Sequence, residues 1–552
     1  MLTFEGLTEN LKFIILETMN QLESILAYIE DPDPIDNKKI IDRDNYVDNL
    51  KLTIEDLCYK RMGGVSSERL SERDTNVVRA IHIIAVNLER IADNCVSILK
   101  QLDHLSRIEF IYQFRYQLIL SRLIEGVRKI PEVLESRCLN DALEICRIEE
   151  ETDSHYKRNL DKILKKLEDG GHTRNLVTVL FIYHYLERMG DSLLNIGEAL
   201  IIGIVGEKIR ISQIESLERN LDKSGSKEDL SDVSIHSFRG TRSGCRISKV
   251  KLGNQDQENE YRNCILKEGN VSKISAEKRS LDTWNRLFPG IAPRVFSYSK
   301  KQDSASMLME FLDGNTLDEI ILNSDIGHIK YVFNALIRDC EAIWLATKTD
   351  TPARVDYVAQ IKSRLSAIRD VHPSFIRIPQ TMGESKIASS DDLIEICERI
   401  EHDLFAPFSV RIHGDFNVSN IMFDAEEAKI RFIDLYRSGN ADYVQDASVF
   451  LISNFRLPVF DNPLREQLNW VIGQYFGFVR KFSEEQKDET FAFRMALAIA
   501  RSLYTSTRFE LNYRLAKEMY LRAHYLMDKM ARHVISNKNP TDFKMPESVL
   551  YY

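Results

Sequence analysis

The chain has 552 residues, 43% of them hydrophobic and 29% charged, which is typical of a folded protein with room for about three domains. Its 84 acidic residues exceed its 74 basic ones, and the net charge of −10 argues against nucleic-acid binding by phosphate neutralisation. No apolar run reaches the roughly 18 residues of a membrane span, and the first residues lack the features of a signal peptide. The eight cysteines form no C-x-x-C pair, so we expect neither a disulfide framework nor a zinc site, and a reducing cytoplasm fits best.

Residues 1–211 carry apolar side chains at three- and four-residue spacing almost throughout, which predicts a helical domain. A first helix runs toward Tyr28 and ends before the proline-containing stretch Asp31–Pro34. A second helix is predicted from about Asn37, and a third follows the polar segment Gly63–Asp74.

A sequence pattern occurs twice in this helical region. NLERIADNCVSI (Asn87–Ile98) and YLERMGDSLLNI (Tyr185–Ile196) share L-E-R-[IM]-[AG]-D at an offset of 98 residues. One helical unit is therefore used twice, over about 1–105 and 106–211. Each copy places two acids four residues apart on each of two helices. The eight acids are Asp44, Asp48, Glu89 and Asp93 in the first copy, and Glu149, Asp153, Glu187 and Asp191 in the second.

Residues four apart lie on one helix face, so two packed helices could offer four carboxylates to one metal cluster. The alternative is that these acids pair with Arg90, Arg188 and neighbouring bases on a solvated face. The repeats, together with DRDNYVDNLKLTIEDL (Asp42–Leu57), resemble the PhoU family of phosphate-signalling proteins. The resemblance implies tandem three-helix bundles, a regulatory role with a protein partner, and acids able to hold iron or zinc.

The segment after the helical region differs from it in composition. Residues 212–235 are charged and serine-rich with few apolar side chains, so we predict a linker that begins as a helix and then becomes flexible. From residue 236 the chain shows short β-like runs. Gly240 and Gly244 precede an apolar run, which suits a strand–turn–strand hairpin whose backbone N–H groups close over phosphates. An ordinary hairpin explains two glycines equally well.

The most informative stretch is RIHGDFNVSNIMFDAEEAKIRFID (Arg411–Asp434). Phosphoryl transfer needs a carboxylate to orient and deprotonate the attacking hydroxyl, and oxygen ligands to hold Mg²⁺ on the nucleotide phosphates. Asp415 and Asn420 have the D-x-x-x-x-N spacing that puts such a base and a metal ligand on one loop. A hairpin of two short apolar strands would then return Asp434 beside Asn420. The alternative is an ordinary hairpin with solvated acids.

This stretch resembles the aminoglycoside phosphotransferase and choline-kinase family, whose catalytic loop reads H-G-D-x-x-x-x-N and whose metal segment begins I-D. The resemblance implies a two-lobed, protein-kinase-like fold with Asp415 as catalytic base and Asn420 and Asp434 as Mg²⁺ ligands. One departure is that Leu435 and Tyr436 follow the I-D pair, where family members often have an aromatic residue and an acid.

The same resemblance assigns the nucleotide contacts. Lys267, at the end of the apolar run Cys264–Leu266, would contact the α/β-phosphates and pair with Glu277, although both could instead be surface residues. ASMLMEFL (Ala305–Leu312) resembles the hinge between kinase lobes, whose backbone would receive the adenine. The hinge residues are Met309, Glu310, Phe311 and Leu312. In the catalytic loop, His413 is expected to be structural and Asp446 to brace the loop.

We therefore predict a multidomain α and α+β protein. Its parts are a duplicated three-helix-bundle domain (1–211), a linker (212–235), and the amino-terminal (236–313) and carboxy-terminal (314–552) lobes of a phosphotransferase. The predicted activity is ATP- and Mg²⁺-dependent phosphorylation of a hydroxyl on a small molecule, with amino sugars, amino alcohols and sugars all open as acceptors.

The alternatives are a non-catalytic nucleotide-binding adaptor and a protein kinase. The four residues Lys267, Asp415, Asn420 and Asp434 occur together, which disfavours the adaptor. The sequence shows no recognisable activation segment with an A-P-E-like end, which disfavours the protein kinase.

Overall fold

The structure is a computed structural model that describes residues 4–32, 34–63, 71–206, 211–224, 233–237, 244–252, 263–375, 380–382, 385–536 and 539–552. The chain divides into two compact units. The first comprises Met1–Gly269 and Ser297–Leu308, and the second Asn270–Phe296 and Met309–Tyr552. Within the described residues no helix has the length and apolar character needed to cross a membrane.

The described residues at the start of the first unit form six long helices, as the duplicated pattern predicts. Their apolar faces pack inward, and the two helices that carry the repeated motif, α3 and α6, lie along each other. Leu88 and Leu186 of that motif are both buried. The helices are α1 (Phe4–Glu30), α2 (Pro34–Met62), α3 (Glu72–Leu102), α4 (Tyr116–Ser136), α5 (Leu139–Glu168) and α6 (Thr173–Val205). The prediction of a duplicated three-helix bundle is confirmed.

The stretch predicted as a linker contains a packed helix, α7 (Ile211–Ser224). Ile214, Leu217 and Leu221 recur at three- and four-residue spacing and are all buried. Asn220 is also buried, and its amide donates to Ser306 Oγ at 2.8 Å and accepts from Ser297 Oγ at 2.9 Å. The apolar content looked too low for a core because this helix packs partly through buried hydrogen bonds, which a count of apolar residues misses.

Helix α7 packs on a sheet with the strand order β1-β2-β3-β5-β4 among the described residues. Strands β1 and β2 are antiparallel with Ser237 opposite Ser248, so the two strands of the predicted hairpin are paired. Its turn, including Gly240, lies outside the described residues. The strands are β1 (Val233–Ser237), β2 (Arg246–Leu252), β3 (Asn263–Asn270), β4 (Val295–Lys301) and β5 (Ser304–Glu310).

The second unit begins with α8 (Val271–Leu287) and is otherwise built of helices around short antiparallel strand pairs. The strands are β6 (Asn315–Thr316), β7 (Ala353–Arg354), β8 (Gln380–Met382), β9 (Ser385–Ile387), β10 (Phe405–Ala406), β11 (Val410–Ile412), β12 (Ile421–Asp424), β13 (Lys429–Phe432) and β14 (Gly439–Ala441). The helices are α9 (Leu317–Asn323), α10 (Ile326–Thr347), α11 (Tyr357–Lys362), α12 (Leu365–Val371), α13 (Ser390–His402), α14 (Tyr443–Phe455), α15 (Asn462–Glu485), α16 (Phe491–Ser506) and α17 (Tyr513–Ile535).

Helix α16 lies at the centre of the second unit, and it is apolar on all sides except for a few buried polar groups. Arg494 on this helix is fully buried and pairs with the buried carboxylates of Asp442 and Asp488. The hydroxyls of Tyr357 and Tyr443 donate to the same two carboxylates, at 2.9 and 2.6 Å. This network fixes the start of α14 because Asp442 is the N-cap of that helix.

Candidate active site

The hairpin of β12 and β13 brings the predicted metal ligands together. Ile421 pairs with Phe432, and the N–H of Ile433 donates to the carbonyl oxygen of Asn420 at 3.1 Å. Asp434 follows directly, so it lies beside Asn420 although 14 positions separate them in the sequence. The alternating apolar side chains Ile421, Phe423, Ile430 and Phe432 are buried, and their burial sets the register of the two strands.

The loop before this hairpin is held by Asp446 near the start of α14. Its two carboxylate oxygens accept from the N–H groups of His413 and Gly414 at 2.6 and 2.8 Å. Burial raises the pKa of Asp446 to about 7, and the two N–H donors act in the opposite direction. Asp446 therefore positions the loop through its backbone, as predicted from the sequence.

The imidazole of His413 is buried and fixes the same loop. Its Nδ1 accepts from the N–H of Asp415 at 3.3 Å, so its Nε2 carries the proton and donates to the carbonyl of Ile433 at 2.9 Å. Burial lowers the pKa of His413, which keeps the ring neutral in this role. The ring ties the loop that carries Asp415 to the strand end that carries Asp434.

Asp415 presents a partly exposed carboxylate with two neighbours that the sequence analysis did not single out. Asn417 Nδ2 donates to Oδ1 at 2.5 Å, and Arg437 Nη1 donates to Oδ2 at 3.1 Å. The side chain of Asn420 donates from Nδ2 to the main-chain oxygen of Asp415 at 2.9 Å. Since the amide nitrogen of Asn420 is engaged in this way, its oxygen is the atom left to bind a cation.

Asp434 has the left-handed backbone conformation, with φ of +62° and ψ of +48°. Asp is one of the few residues other than glycine that adopt it, and such strained positions occur often at functional sites. The next residues form a 3-10 turn, Leu435–Arg437, which packs against α8. Lys273 of α8 lies 4.3 Å from the ring centroid of Tyr436, so the residues that depart from the family pattern are part of this contact.

The oxygen donors at this site fit Mg²⁺. The metal prefers carboxylate and amide oxygens and is usually bound by one or two protein groups together with substrate phosphates. Asp434 offers a carboxylate, and Asn420 offers an amide oxygen on the adjacent backbone. Both are half-buried, so neither is an ordinary solvated surface group.

Two of the residues predicted to contact the nucleotide are buried. Lys267 on β3 is 2% exposed and Glu277 on α8 is 1% exposed, so neither is the surface residue of the alternative interpretation. Gly244 has φ of +68°, which favours glycine, and it begins the described part of the strand after the turn. In the predicted hinge, the N–H of Glu310 donates to the carbonyl of Arg294 at 2.9 Å. The adenine contact of Met309, Glu310, Phe311 and Leu312 stays a prediction.

The acids of the first helical repeat converge with a lysine between them. Burial raises the pKa of Asp44 to about 6, and the carboxylates of Asp93, Asp48 and Glu89 add to the effect. Lys51 Nζ lies 2.9 Å from Glu89 Oε1 and 3.1 Å from Asp48 Oδ1. The ammonium of Lys51 therefore supplies positive charge to this cluster.

The acids of the second repeat are also matched with bases. Lys157 pairs with Asp153 at 2.5 Å, and Arg188 pairs with Asp191 at 3.5 Å. Burial and the nearby carboxylate of Asp153 raise the pKa of Glu149, and burial and Asp191 raise that of Glu187.

Among the residues that the structure describes, no three His, Cys, Asp or Glu side chains are grouped to hold a metal ion. The iron or zinc cluster of Asp44, Asp48, Glu89, Asp93, Glu149, Asp153, Glu187 and Asp191 therefore stays a prediction. The salt-bridge alternative fits the geometry better, with Lys51, Lys157 and Arg188 as the bases.

Comparison with known proteins finds one family match in the helical region and another in the later part of the chain. Residues 15–102 and 120–200 match the PhoU domain, and residues 269–481 match the phosphotransferase enzyme family. The chain is 25% identical over 200 residues to the phosphate-specific transport system accessory protein PhoU homolog of Clostridium acetobutylicum, with 35% of this chain and 88% of that protein covered.

Two solved structures are similar to parts of this chain. PhoU from Pseudomonas aeruginosa is 18% identical with a TM-score of 0.33, covering 37% of this chain and 97% of that chain. Aminoglycoside-3'-phosphotransferase of type VIII is 14% identical with a TM-score of 0.32, covering 58% of this chain and 98% of that chain. From the family matches, the chain carries a PhoU domain in its amino-terminal part and a domain of the phosphotransferase enzyme family in its carboxy-terminal part.

Proposed function

We propose that this protein is an ATP- and Mg²⁺-dependent phosphotransferase that phosphorylates a hydroxyl group of a small molecule. The observation that carries the proposal is the constellation around Asp415. Its carboxylate is partly exposed, and its loop is fixed by Asp446 and His413. Asn420 and Asp434 are brought together by the hydrogen bond from the N–H of Ile433 to the carbonyl of Asn420.

In this mechanism Asp415 orients the acceptor hydroxyl and takes its proton as the hydroxyl oxygen attacks the γ-phosphorus of ATP. Asn420 and Asp434 would hold Mg²⁺, which would supply positive charge to the nucleotide phosphates. Lys267 contacts the α/β-phosphates, and the hinge backbone receives the adenine. The hydrogen bonds to His413 and Asp446 keep Asp415 in position, so little reorganisation is needed during the reaction.

The main alternative is an adaptor that binds nucleotide without turnover. A site that had lost its catalytic role would have no need to keep the strained backbone of Asp434 and the braced loop around Asp415. A protein kinase is the second alternative, and the lack of an A-P-E-like segment in the sequence disfavours it.

The helical domain is proposed to regulate the phosphotransferase in response to phosphate signalling, with a protein partner on the bundle. Within the first unit, α7 connects the bundle to the sheet. Arg147 of α5 lies 3.7 Å from Glu218 of α7, and Ser216 of α7 hydrogen-bonds the buried carboxylate of Glu268 on β3. Glu268 directly follows Lys267, and the two side chains point to opposite faces of the strand. Movement of α7 would therefore reach the strand that carries Lys267.

A cytoplasmic location is part of the proposal, since none of the eight cysteines forms a disulfide and seven of them are buried.

The test is a screen for Mg²⁺-dependent phosphoryl transfer from γ-labelled ATP to a panel of hydroxylated metabolites, with Asp415→Asn as the matched negative variant. The proposal expects labelled product from at least one acceptor with the parent protein and a loss of about 10²-fold or more with the variant. Tight Mg·ATP binding with neither transfer nor hydrolysis would favour the adaptor.

A further inference from the structure

The catalytic base lies among several arginines that the sequence motif does not include. Arg437 Nη1 donates to Asp415 Oδ2 at 3.1 Å. Arg364 is the N-cap residue of α12, and Arg508 lies in the 3-10 turn Thr507–Phe509, which packs against α12. The guanidinium groups of Arg364 and Arg508 both lie within electrostatic range of Asp415 and of Arg437.

This grouping of like charges is unfavourable by itself. Burial, followed by the positive charges of Arg364, Arg437 and Arg456, lowers the pKa of Arg508 to about 10. Burial, followed by the charge of Arg437, also lowers the pKa of Arg364. The carboxylate that acts on both Arg364 and Arg508 is that of Asp415, and it already accepts from Arg437 and Asn417.

The guanidinium of Arg508 also has unused donor capacity. Its Nη1 atom is buried and has no hydrogen-bond partner among the described residues, while its guanidinium carbon lies 4.2 Å from the ring centroid of Phe509. Arg364 reaches the carbonyl of Gln360 only at 3.5 Å. Buried N–H donors are nearly always satisfied in folded proteins by protein groups, water or a ligand, so this donor is available to bind an acceptor oxygen.

We propose that the acceptor carries an oxyanion, a phosphate ester or a carboxylate, and that Arg508 and Arg364 bind it beside the hydroxyl that Asp415 deprotonates. This inference rests on the proposed phosphotransferase function and names its substrate class. Guanidinium forks match carboxylate and phosphate oxygens in a bidentate way, and an anion would offset the repulsion between neighbouring arginines. An amino sugar or amino alcohol would bring a positive charge into the same place and would be repelled.

The anion also gives Arg437 a second partner. When an oxyanion enters, Arg437 can transfer part of its interaction from Asp415 Oδ2 to the ligand, and that oxygen becomes available for the hydroxyl proton. The acceptor oxygen bonds to the γ-phosphorus, the bond from that phosphorus to the β–γ bridging oxygen breaks, ADP leaves, and the acceptor proton passes to Asp415.

The test is calorimetric binding to the full-length protein with the nucleotide site filled by Mg²⁺ and a non-hydrolysable ATP analogue. The probes are inorganic phosphate and matched sets: glycerol, glycerol 3-phosphate, glycerate and 3-amino-1,2-propanediol, then ribose and ribose 5-phosphate. We expect the anionic member of each set to bind at least about tenfold more tightly than its neutral or amine counterpart, which corresponds to about 1.4 kcal/mol.

Variants assign the effect to the arginines. Arg508→Gln and Arg364→Gln should each weaken binding of the anionic probes by about tenfold or more, and Arg508→Lys should retain part of it because the charge remains. The matched control is Arg480→Gln, which removes an exposed arginine paired with Glu547 at 2.8 Å and should leave binding unchanged. Equal affinity in Arg508→Gln and Arg480→Gln would remove Arg508 from the site.

The outcomes separate this inference from the proposed function. If neither inorganic phosphate nor any anionic probe binds, or if neutral or amine members bind as tightly, the acceptor assignment is wrong even when phosphoryl transfer to another acceptor is found. If the anions bind through Arg508 but no phosphate is transferred, the anion site stands and the proposed catalytic function fails.

Discussion

Replacing Gly414 by alanine tests how tightly the catalytic loop is built. Gly414 has φ of +86°, and an added Cβ would lie 2.3 Å from the carbonyl oxygen of Arg437 and 2.7 Å from its carbonyl carbon. These are backbone atoms, so the contact cannot be relieved by a side-chain rotation. A left-handed conformation costs a non-glycine residue about 1–2 kcal/mol, and forced overpacking adds about 1–3 kcal/mol. We therefore expect Gly414→Ala to lower the free energy of unfolding by about 2–5 kcal/mol.

Urea denaturation measures this change, and Gly477→Ala is the matched control. Gly477 lies in α15, and an added Cβ there meets no atom within 4 Å. Alanine is the better helix former, so the control should be neutral or more stable by about 0.5–1 kcal/mol. Gly414→Ala should also lower kcat by about 10²-fold, because displacement of the loop by about 1 Å misplaces Asp415. Parent-like stability together with parent-like turnover in Gly414→Ala would refute this account of the loop.

Three further predictions concern the predicted metal ligand Asp434, the buried Arg494 and the acidic cluster around Asp44. Asp434→Ala should weaken Mg²⁺-dependent ATP binding because a ligand that joins the metal to the phosphates is lost, and calorimetry showing unchanged affinity would contradict the assignment. Arg494→Met should lower the free energy of unfolding by about 3–5 kcal/mol in urea denaturation, since two buried carboxylates lose their shared partner; a change below about 1 kcal/mol would contradict it. Asp44 has a folded pKa of about 6, raised from 3.8, so the unfolded chain loses this proton first and the group's contribution to stability falls as pH rises from about 4 to about 6. Asp44→Asn should therefore raise Tm at pH 7 but not near pH 4, whereas loss of a bound metal would lower Tm at pH 7.

The loop and hairpin that carry the candidate site could be predicted from the sequence because their geometry depends on local spacing. Asp415, Asn420 and Asp434 lie within one loop and one hairpin, and the apolar alternation that sets the hairpin register is visible in the residues themselves. The duplicated helices were predictable for a similar reason, since the repeated motif lies on the buried, paired helices α3 and α6.

The features that were missed depend on contacts between distant segments. Arg364 and Arg508 are far apart in the sequence, and only the packing of α12 against the turn after α16 brings both near Asp415. Lys51 lies close in sequence to Asp48, but its contact with Glu89 requires the packing of α2 on α3. The segment of α7 was predicted as the helical start of a linker, and its packing was missed because its buried partners, Ser297 and Ser306, come from strands more than 70 residues later.

The central claim is that Asp415 acts as the base of a phosphoryl transfer and is not needed for the binding of Mg·ATP. The most direct measurement compares parent and Asp415→Asn in two assays, calorimetric Mg·ATP affinity and ATP-dependent turnover under saturating nucleotide. The account predicts a Kd for Mg·ATP that changes by less than about twofold and a turnover that falls by about 10²-fold or more. Turnover equal to that of the parent in Asp415→Asn would contradict it.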